Sequence, residues 1–531
     1  MSSSLKIFPK GKQMARYNEE NTKQDRLVIV SHDRQLVTGS LEHAIDHIVE
    51  ECLDLSIFDK RYKNDDTGRK AIHPKNLLKI ILLGYSRGMT STRPLEQACK
   101  ENVTFMILSG HQTPDHSTIA SFVSSIDRET KDLFKEVLMT CELRGLLGGT
   151  HFSLDGMKLS SNASKEWSGK HSDLKKKQEA LERKLEEAIK EHRETDKKSG
   201  KKKDISWEKR QEAKIKKLDH AAKRIKRFLS ENKPRIGSQG KEIQSNVTDN
   251  ESAKMATSHG VEQGYNANAM VDEKHQVIVN AEVFGKGEDS SLMEPMLKGA
   301  KENLEAIGIE ESLKDKTVSA DTGYFSVKNL ESCEEYEVDA YIPDPQFRKR
   351  DIRFEDAGRH RRSVDKRHEK YKSKKRWFGV DDFTYDDRTG KLICPAGHEL
   401  YVRSRKYESK GHKAIIYQAP KKACLGCELR TKCLRKPDKT ESRQVAIFYG
   451  KRPGSITDKM KEKIDTTEGR KTYSKRLGIV EPVFGNIRAC KKMNRFTLRG
   501  KTKVNVQWML YCIVHNIEKI CKYGMVSPQG A

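Results

Sequence analysis

Two aspartates and a glutamate, far apart in the chain, have the types and settings needed for metal-assisted phosphate chemistry. Asp155 follows Phe152 and Leu154 in "THFSLDGMKLSS" and precedes Gly156. Asp321 follows Val318 and Ala320 in "TVSADTGYFS", two residues before Gly323. Apolar residues alternate with small or polar ones in both stretches, the pattern of a strand. The glycines are expected to end those strands, so each carboxylate belongs at the mouth of a sheet. Glu481 lies in the helical stretch "YSKRLGIVEPVFGNIRACKKM", with Tyr473 and Arg476 before it and Arg488 seven residues after it. Three such acids suit two Mg²⁺ (or Mn²⁺) ions about 4 Å apart on a phosphodiester. Mg²⁺ takes oxygen ligands and keeps several waters, so few carboxylates suffice. Guanidinium groups beside them either form an ion-pair network or hold a phosphate backbone. Asp-Thr-Gly also suits an aspartic protease loop, but such enzymes use two loops, or one in a small dimeric chain, and this long basic chain has one copy.

The elements that must position these acids read as a mixed α/β protein. Strands are expected at "HFSLD", "GYNANAMVD", "HQVIVNAEVF", "TVSAD" and "VDAYIP". A helix is expected over "EDSSLMEPMLKGAKENLEAIG", and a short one over "VKNLESCEE". Strand, strand, strand, helix, strand, helix, strand is the order of a ribonuclease-H-like sheet. In such a sheet the first and fourth strands are neighbours, so Asp155 and Asp321 meet. Glu481 must then come from a helix packed on the sheet, and Pro482, which has no N–H, should kink that helix.

The expected organisation follows. A polar segment, 1–40, precedes a helical region, 41–147, in which Pro74 opens one helix and Pro94 another. A third helix, "TPDHSTIASFVSSI", has Ile119, Phe122, Val123 and Ile126 on one face. The catalytic core comprises 148–345 and 456–520. Within it, 168–235 reads as a coiled-coil hairpin insertion, with Leu174, Leu181, Leu185 and Ala188 facing Leu218, Ala222, Ile225 and Leu229 across the loop "DKKSGKKKD". Residues 346–455 form a basic, Cys-rich β insertion with a hairpin turning at Thr389–Gly390. The last core helix places Val506, Met509, Leu510, Ile513, Val514 and Ile517 on one stripe, and 521–531 is a tail.

Lys and Arg total 103 against 77 Asp and Glu over 531 residues, a formal charge of +26. That excess favours a polyanionic partner. No phosphate loop of the GxxxxGK[ST] type and no signal-peptide pattern is read, and "LLKIILLGY" is too short to span a bilayer. A cytoplasmic, reduced setting is therefore expected for the eleven cysteines. Cys394, Cys424, Cys427 and Cys433 fall within 40 residues, with His398 as a spare ligand. Four thiolates suit a closed structural Zn²⁺ site, although unmetallated thiols would show the same pattern. The other cysteines read as core or inert thiols.

Together, "FSLDGMKLSSNAS", "GYNANAMVD", "SADTGYFS" and "YSKRLGIVEPVFGNIRACKKMNRFTLRGKTKV" resemble the motifs of DDE transposases of bacterial insertion sequences, in the subgroup with a Tyr–Arg–Glu–Lys/Arg signature. The stretch from "HPKNLLKII" to "DHSTIASF" is similar to the helical domain that precedes the core in those enzymes. The resemblance covers most of 41–520 and is weakest in the hairpin. It implies Asp155, Asp321 and Glu481 as the metal-binding triad and Tyr473, Arg476 and Arg488 as contacts to DNA. It further implies cleavage and strand transfer at inverted-repeat ends, an assembly at least dimeric, and nucleoid association. Two other readings use the same residues: an inactive, transposase-derived DNA-binding protein, and a nuclease of this fold without strand transfer.

Overall fold

The computed structural model describes residues 31–61, 70–198, 205–237, 240–257, 260–354, 377–386, 388–409, 412–448 and 454–524. The hairpin loop lies partly outside these residues, as does most of the basic stretch after Arg353.

The chain opens with helices α1 (Leu41–His47), α2 (Pro74–Ser86), α3 (Thr92–Glu101), α4 (Val103–Leu108), α5 (His116–Ser125) and α6 (Asp127–Leu143). Local chemistry sets their starts. Pro74 occupies the first turn of α2, and the Ser40, Asn102 and Asp115 side chains accept the free amides that begin α1, α4 and α5. Ile119, Phe122, Val123 and Ile126 are buried, as the periodicity predicts. Lys79, inside the apolar run of α2, is buried against Asp46 Oδ1 at 2.5 Å and also pairs with Glu50. No helix among the described residues is long and apolar enough to cross a membrane.

A sheet follows. Its strands are β1 (His151–Ser160), β2 (Ala253–Thr257), β3 (Gly260–Asp272), β4 (Ile278–Phe284), β5 (Thr317–Ala320) and β6 (Asp339–Tyr341). Between β1 and β2 the chain leaves as two long helices, α7 (His171–Lys198) and α8 (Ile205–Glu231). They run antiparallel: His192 meets Trp207 near the tip and His171 meets Phe228 near the base. Leu174, Ala188, Ala222 and Ile225 are buried between or beneath them. In the sheet, β3 pairs antiparallel with β1 on one edge and with β2 and β4 on the other. On its far side β1 pairs parallel with β5, and β5 with β6. Helices α9 (Met293–Ala306) and α10 (Val327–Glu335) make the crossovers. The first of these starts later than expected, at Met293 rather than at Glu288.

A second antiparallel sheet contains β7 (Thr384–Asp386), β8 (Lys391–Ile393), β9 (Glu399–Ser409), β10 (His412–Gln418) and β11 (Gln444–Phe448), in the spatial order β11-β10-β9-β8-β7. The turn before β8 places Gly390 at φ 66°, where a Cβ would be strained. The chain then returns through α11 (Ile456–Asp465), α12 (Thr467–Gly485) and α13 (Lys501–Lys519).

Helix α13 carries more than the expected stripe. It is buried from Val504 to Ile517, so the N-terminal helices and the main sheet share one core. Its polar residues take up the free edge of β4. Asn505 Oδ1 accepts from the Val283 amide at 3.0 Å, and Asn516 exchanges two bonds of 2.9 Å with the Ile278 backbone. An edge that would otherwise recruit another strand is thereby closed. His515, on the same helix, bonds the Gln276 carbonyl at 2.9 Å through Nε2 and Asn486 at 3.3 Å through Nδ1, which fixes a neutral ring. Burial, helped by Lys491, pushes its pKa down to about 3 from the usual 6.5. A base depressed in this way gives its full stability above 6.5 and loses it as pH falls through that value towards 3. Relative to His515→Gln, the parent protein should lose up to about 1.4 kcal/mol per pH unit across that window. Urea unfolding at pH 7 and pH 5 measures the difference, and equal losses in both proteins would refute it.

Candidate active site

Asp155 is positioned by strand pairing. Contrary to expectation, β1 does not end there but continues to Ser160. What ends at this point is its parallel pairing with β5, whose last partners are Leu154 and Ala320. The next residue on each strand is an aspartate, and adjacent strands lie about 4.8 Å apart. Ala320 also ends β5. Asp321 turns out of the sheet and caps one 3₁₀ turn, Thr322–Tyr324, its Oδ1 accepting from the Gly323 amide at 2.8 Å. This strand ends before Gly323, at Ala320, whereas Gly156 ends nothing.

Asp155 is largely buried. Its Oδ1 accepts from the Gly156 amide at 2.8 Å and its Oδ2 from Arg476 Nη1 at 2.8 Å. Burial pushes its pKa up to about 6, Arg476 and the Gly156 amide pull it down, and the negative charge of Asp321 pushes it up again. Two carboxylates side by side, one of them desolvated, fit a hard divalent cation. Among the described residues, however, no three His, Cys, Asp or Glu side chains converge closely enough to hold one ion.

Arg476 comes from α12. It is buried, its Nε has no partner, and its guanidinium lies 6.0 Å from the centre of the Tyr473 ring. Tyr473 packs edge-on against Phe347. Glu481 is not brought to the aspartates. Five residues of α-helix turn it about 140° from Arg476. The Arg476 face continues instead through Val480 and Val483, both fully buried. Glu481 is exposed and has no hydrogen bond or ion pair with a described residue. Nor does Pro482 end the helix. The Gly478 carbonyl, which its missing N–H leaves free, accepts from Gln276 Nε2 at 2.8 Å, and the helix runs on to Gly485 before one wider turn, Asn486–Cys490. Arg488, in that turn, is exposed.

Another acid does stand beside Asp321. Asp289 lies in the loop before α9, in a stretch the sequence pattern assigns to the helix. Its Oδ1 accepts from Asn266 Nδ2 at 2.6 Å. Asn329 ties this loop to the 3₁₀ turn, donating to the backbone carbonyls of Asp289 at 3.0 Å and Tyr324 at 2.8 Å. Tyr324 is fully buried and its hydroxyl bonds Asn268 Oδ1. Burial raises the Asp289 pKa above the usual carboxylate value, and the charge of Asp321 adds to the rise.

The four cysteines of the second sheet line one cavity of about 30 Å³, with His398 at its wall. Arg430 braces the loop around them, bonding the Cys424 and Pro437 carbonyls at 2.7 Å each, and Arg443 bonds the Cys433 carbonyl at 3.2 Å. Burial raises the Cys433 thiol pKa, and Cys424, Cys394 and Cys427 add to the rise. All eleven cysteines are free thiols.

Comparison with protein families gives two matches. Residues 393–521 match a family model described as Transposase DDE domain. Residues 31–125 match one described as Transposase domain (DUF772). The first spans β9 to β11 and α11 to α13, and the second spans α1 to α5. No curated protein and no solved structure matches the chain. The two family matches indicate a transposase and support a DDE type.

Proposed function

We propose that this chain is an insertion-sequence transposase that binds the inverted-repeat ends of its element, cuts one strand to free a 3′-OH and joins that end to target DNA. The observation that carries the reading is the adjacency of Asp155 and Asp321 at the end of the β1–β5 pairing, on a chain whose two ends match transposase families. The sheet supports a ribonuclease-H-like core: its order β4-β3-β1-β5-β6, antiparallel then parallel, is the one such cores use.

Asp155 and Asp321 hold the divalent ions, which when bound polarise the phosphodiester and lower the pKa of the attacking water. By resemblance Glu481 is the third acid, but α12 holds it on its exposed face, so it reaches the ions only if that helix rearranges. Arg476, with an unpartnered Nε, and Tyr473 meet the backbone of the transposon end, and Arg488 extends that contact along it. The N-terminal helices, whose family match is to a transposase domain, contact the end, and two copies pair two ends. The test is incubation of the purified chain with end DNA and Mg²⁺, resolved for nicked and joined products. Nicking and joining that vanish in Asp321→Asn support the reading. Nicking alone would leave a nuclease, and binding alone a DNA-binding protein.

We propose that the cysteine cavity takes a structural Zn²⁺, with Cys394, Cys424, Cys427 and Cys433 drawing in on the ion from the wider spacing they have in this structure. One zinc per chain should be found by elemental analysis, and none in Cys424→Ser/Cys427→Ser. The doubly substituted protein should melt several degrees lower, because such sites contribute folding energy outright. Absence of zinc from protein purified without chelator would remove the assignment.

A further inference from the structure

We infer that Asp289 is a further carboxylate of the metal site, paired with Asp321. The inference rests on the reading of Asp155 and Asp321 as metal ligands. A Cβ built on Gly323 would lie 3.0 Å from Asp289 Oδ2 and 3.0 Å from Asp321 Oδ1, so those two oxygens are within twice that distance of each other. Asp289 Oδ2 accepts no hydrogen bond from a described residue, while Oδ1 is held by Asn266. One oxygen is thus anchored and the other left free towards Asp321.

A second observation points the same way. Asn266 is fully buried, and its Oδ1 has no partner. That oxygen lies 2.6 Å from the place a Cβ on Gly156 would take, so it faces the β1 backbone on the side of the sheet opposite the Asp155 side chain. A buried carbonyl oxygen without a donor costs free energy unless a water or cation meets it. The three aspartates make two neighbouring pairs that share Asp321. Mg²⁺ uses one or two carboxylates and several waters, so two pairs suffice for two ions, and Asn266 can receive a hydrogen bond from a metal-bound water. Lys158, whose charge acts on Asp289, is the nearby cation that partly balances the group.

The test is titration of the full-length, DNA-free chain with Mn²⁺, followed by calorimetry and by electron paramagnetic resonance. Asp289→Asn keeps an acceptor for Asn266 and removes only the charge. It should weaken Mn²⁺ binding about tenfold or more and lower the number of ions held. Glu288→Gln, the exposed neighbour, should bind as the parent does. Parent-like binding in Asp289→Asn, with binding lost in Asp155→Asn and Asp321→Asn, would overturn this inference alone. Parent-like binding in those two would overturn the reading beneath it. A measurement without substitution guards against misfolding. With Fe²⁺ and peroxide, the parent chain should be cut near Asp289 as well as near Asp155 and Asp321, and cuts confined to the latter two would count against Asp289.

Discussion

Asp155→Asn should abolish strand cleavage and yet leave the metal-free protein at least as stable as the parent at pH 8. The loss of cleavage, about 10³-fold or more, follows if Asp155 is a metal ligand, because an amide brings no charge to the ion. The stability result follows from its surroundings. A buried carboxylate next to Asp321, with its pKa raised to about 6, is costly when ionised. The sign is that of a group whose folded pKa lies above its unfolded one. Its contribution is fully present below the ordinary value near 3.8 and is lost as pH rises through about 6. At pH 8 that contribution is gone, and the charge remains. The shift corresponds to at most about 3 kcal/mol. Asparagine keeps the acceptor for the Gly156 amide but gives up the charge-assisted bond from Arg476, so the net gain should be between about 0 and 2 kcal/mol. Mg²⁺ should raise the melting temperature of the parent and not that of the variant. A variant that is several kcal/mol less stable without metal would show that Asp155 serves the fold.

How much of this was legible without coordinates depends on what each residue faces. The strands around Asp155 and Asp321 were readable because Phe152, Leu154, Val318 and Ala320 alternate with polar neighbours, and two-residue periodicity reports burial directly. Whether a strand ends at its glycine was not, because Gly156 sits opposite Asn268 in the ladder and only the β5 pairing stops there. Helix α13 showed one apolar stripe, while its amides, which the stripe leaves out, bond the edge of β4. Amide side chains look the same in sequence whether they meet water or backbone. The hairpin's heptads were plain because α7 and α8 pack mainly on each other. Asp289 carried no signal: its charge in "EDSSL" fits a helix start, and only the meeting of two loops through Asn329 sets it beside Asp321. The spacing from Arg476 to Glu481 did contain a signal. Five residues cannot keep two side chains on one face of a regular helix.

Arg476→Ala should have the largest effect on the free protein. Its guanidinium is buried and bonds Asp155 at 2.8 Å, so its removal leaves a desolvated carboxylate without its cation. Breaking one side of such a pair costs about 3–5 kcal/mol. The value at pH 8 should fall in the lower part of that range, because Asp155 keeps the Gly156 amide and some exposure. With the guanidinium gone, the Asp155 pKa rises further, and the native state binds its proton over a wider range. The deficit should therefore shrink as pH falls and grow as it rises. Adding Asp155→Asn removes the stranded charge, so the double variant should be more stable than Arg476→Ala alone, with a coupling of about 1–3 kcal/mol. Arg476→Lys keeps the charge without the planar fork and should fall between. Cleavage by Arg476→Ala should drop about 100-fold if the guanidinium also holds phosphate. Urea unfolding at pH 5.5 and 8 of the two single variants and the double closes the cycle. Additivity within about 0.5 kcal/mol would show that the pair is not coupled and would remove the tie between α12 and the site.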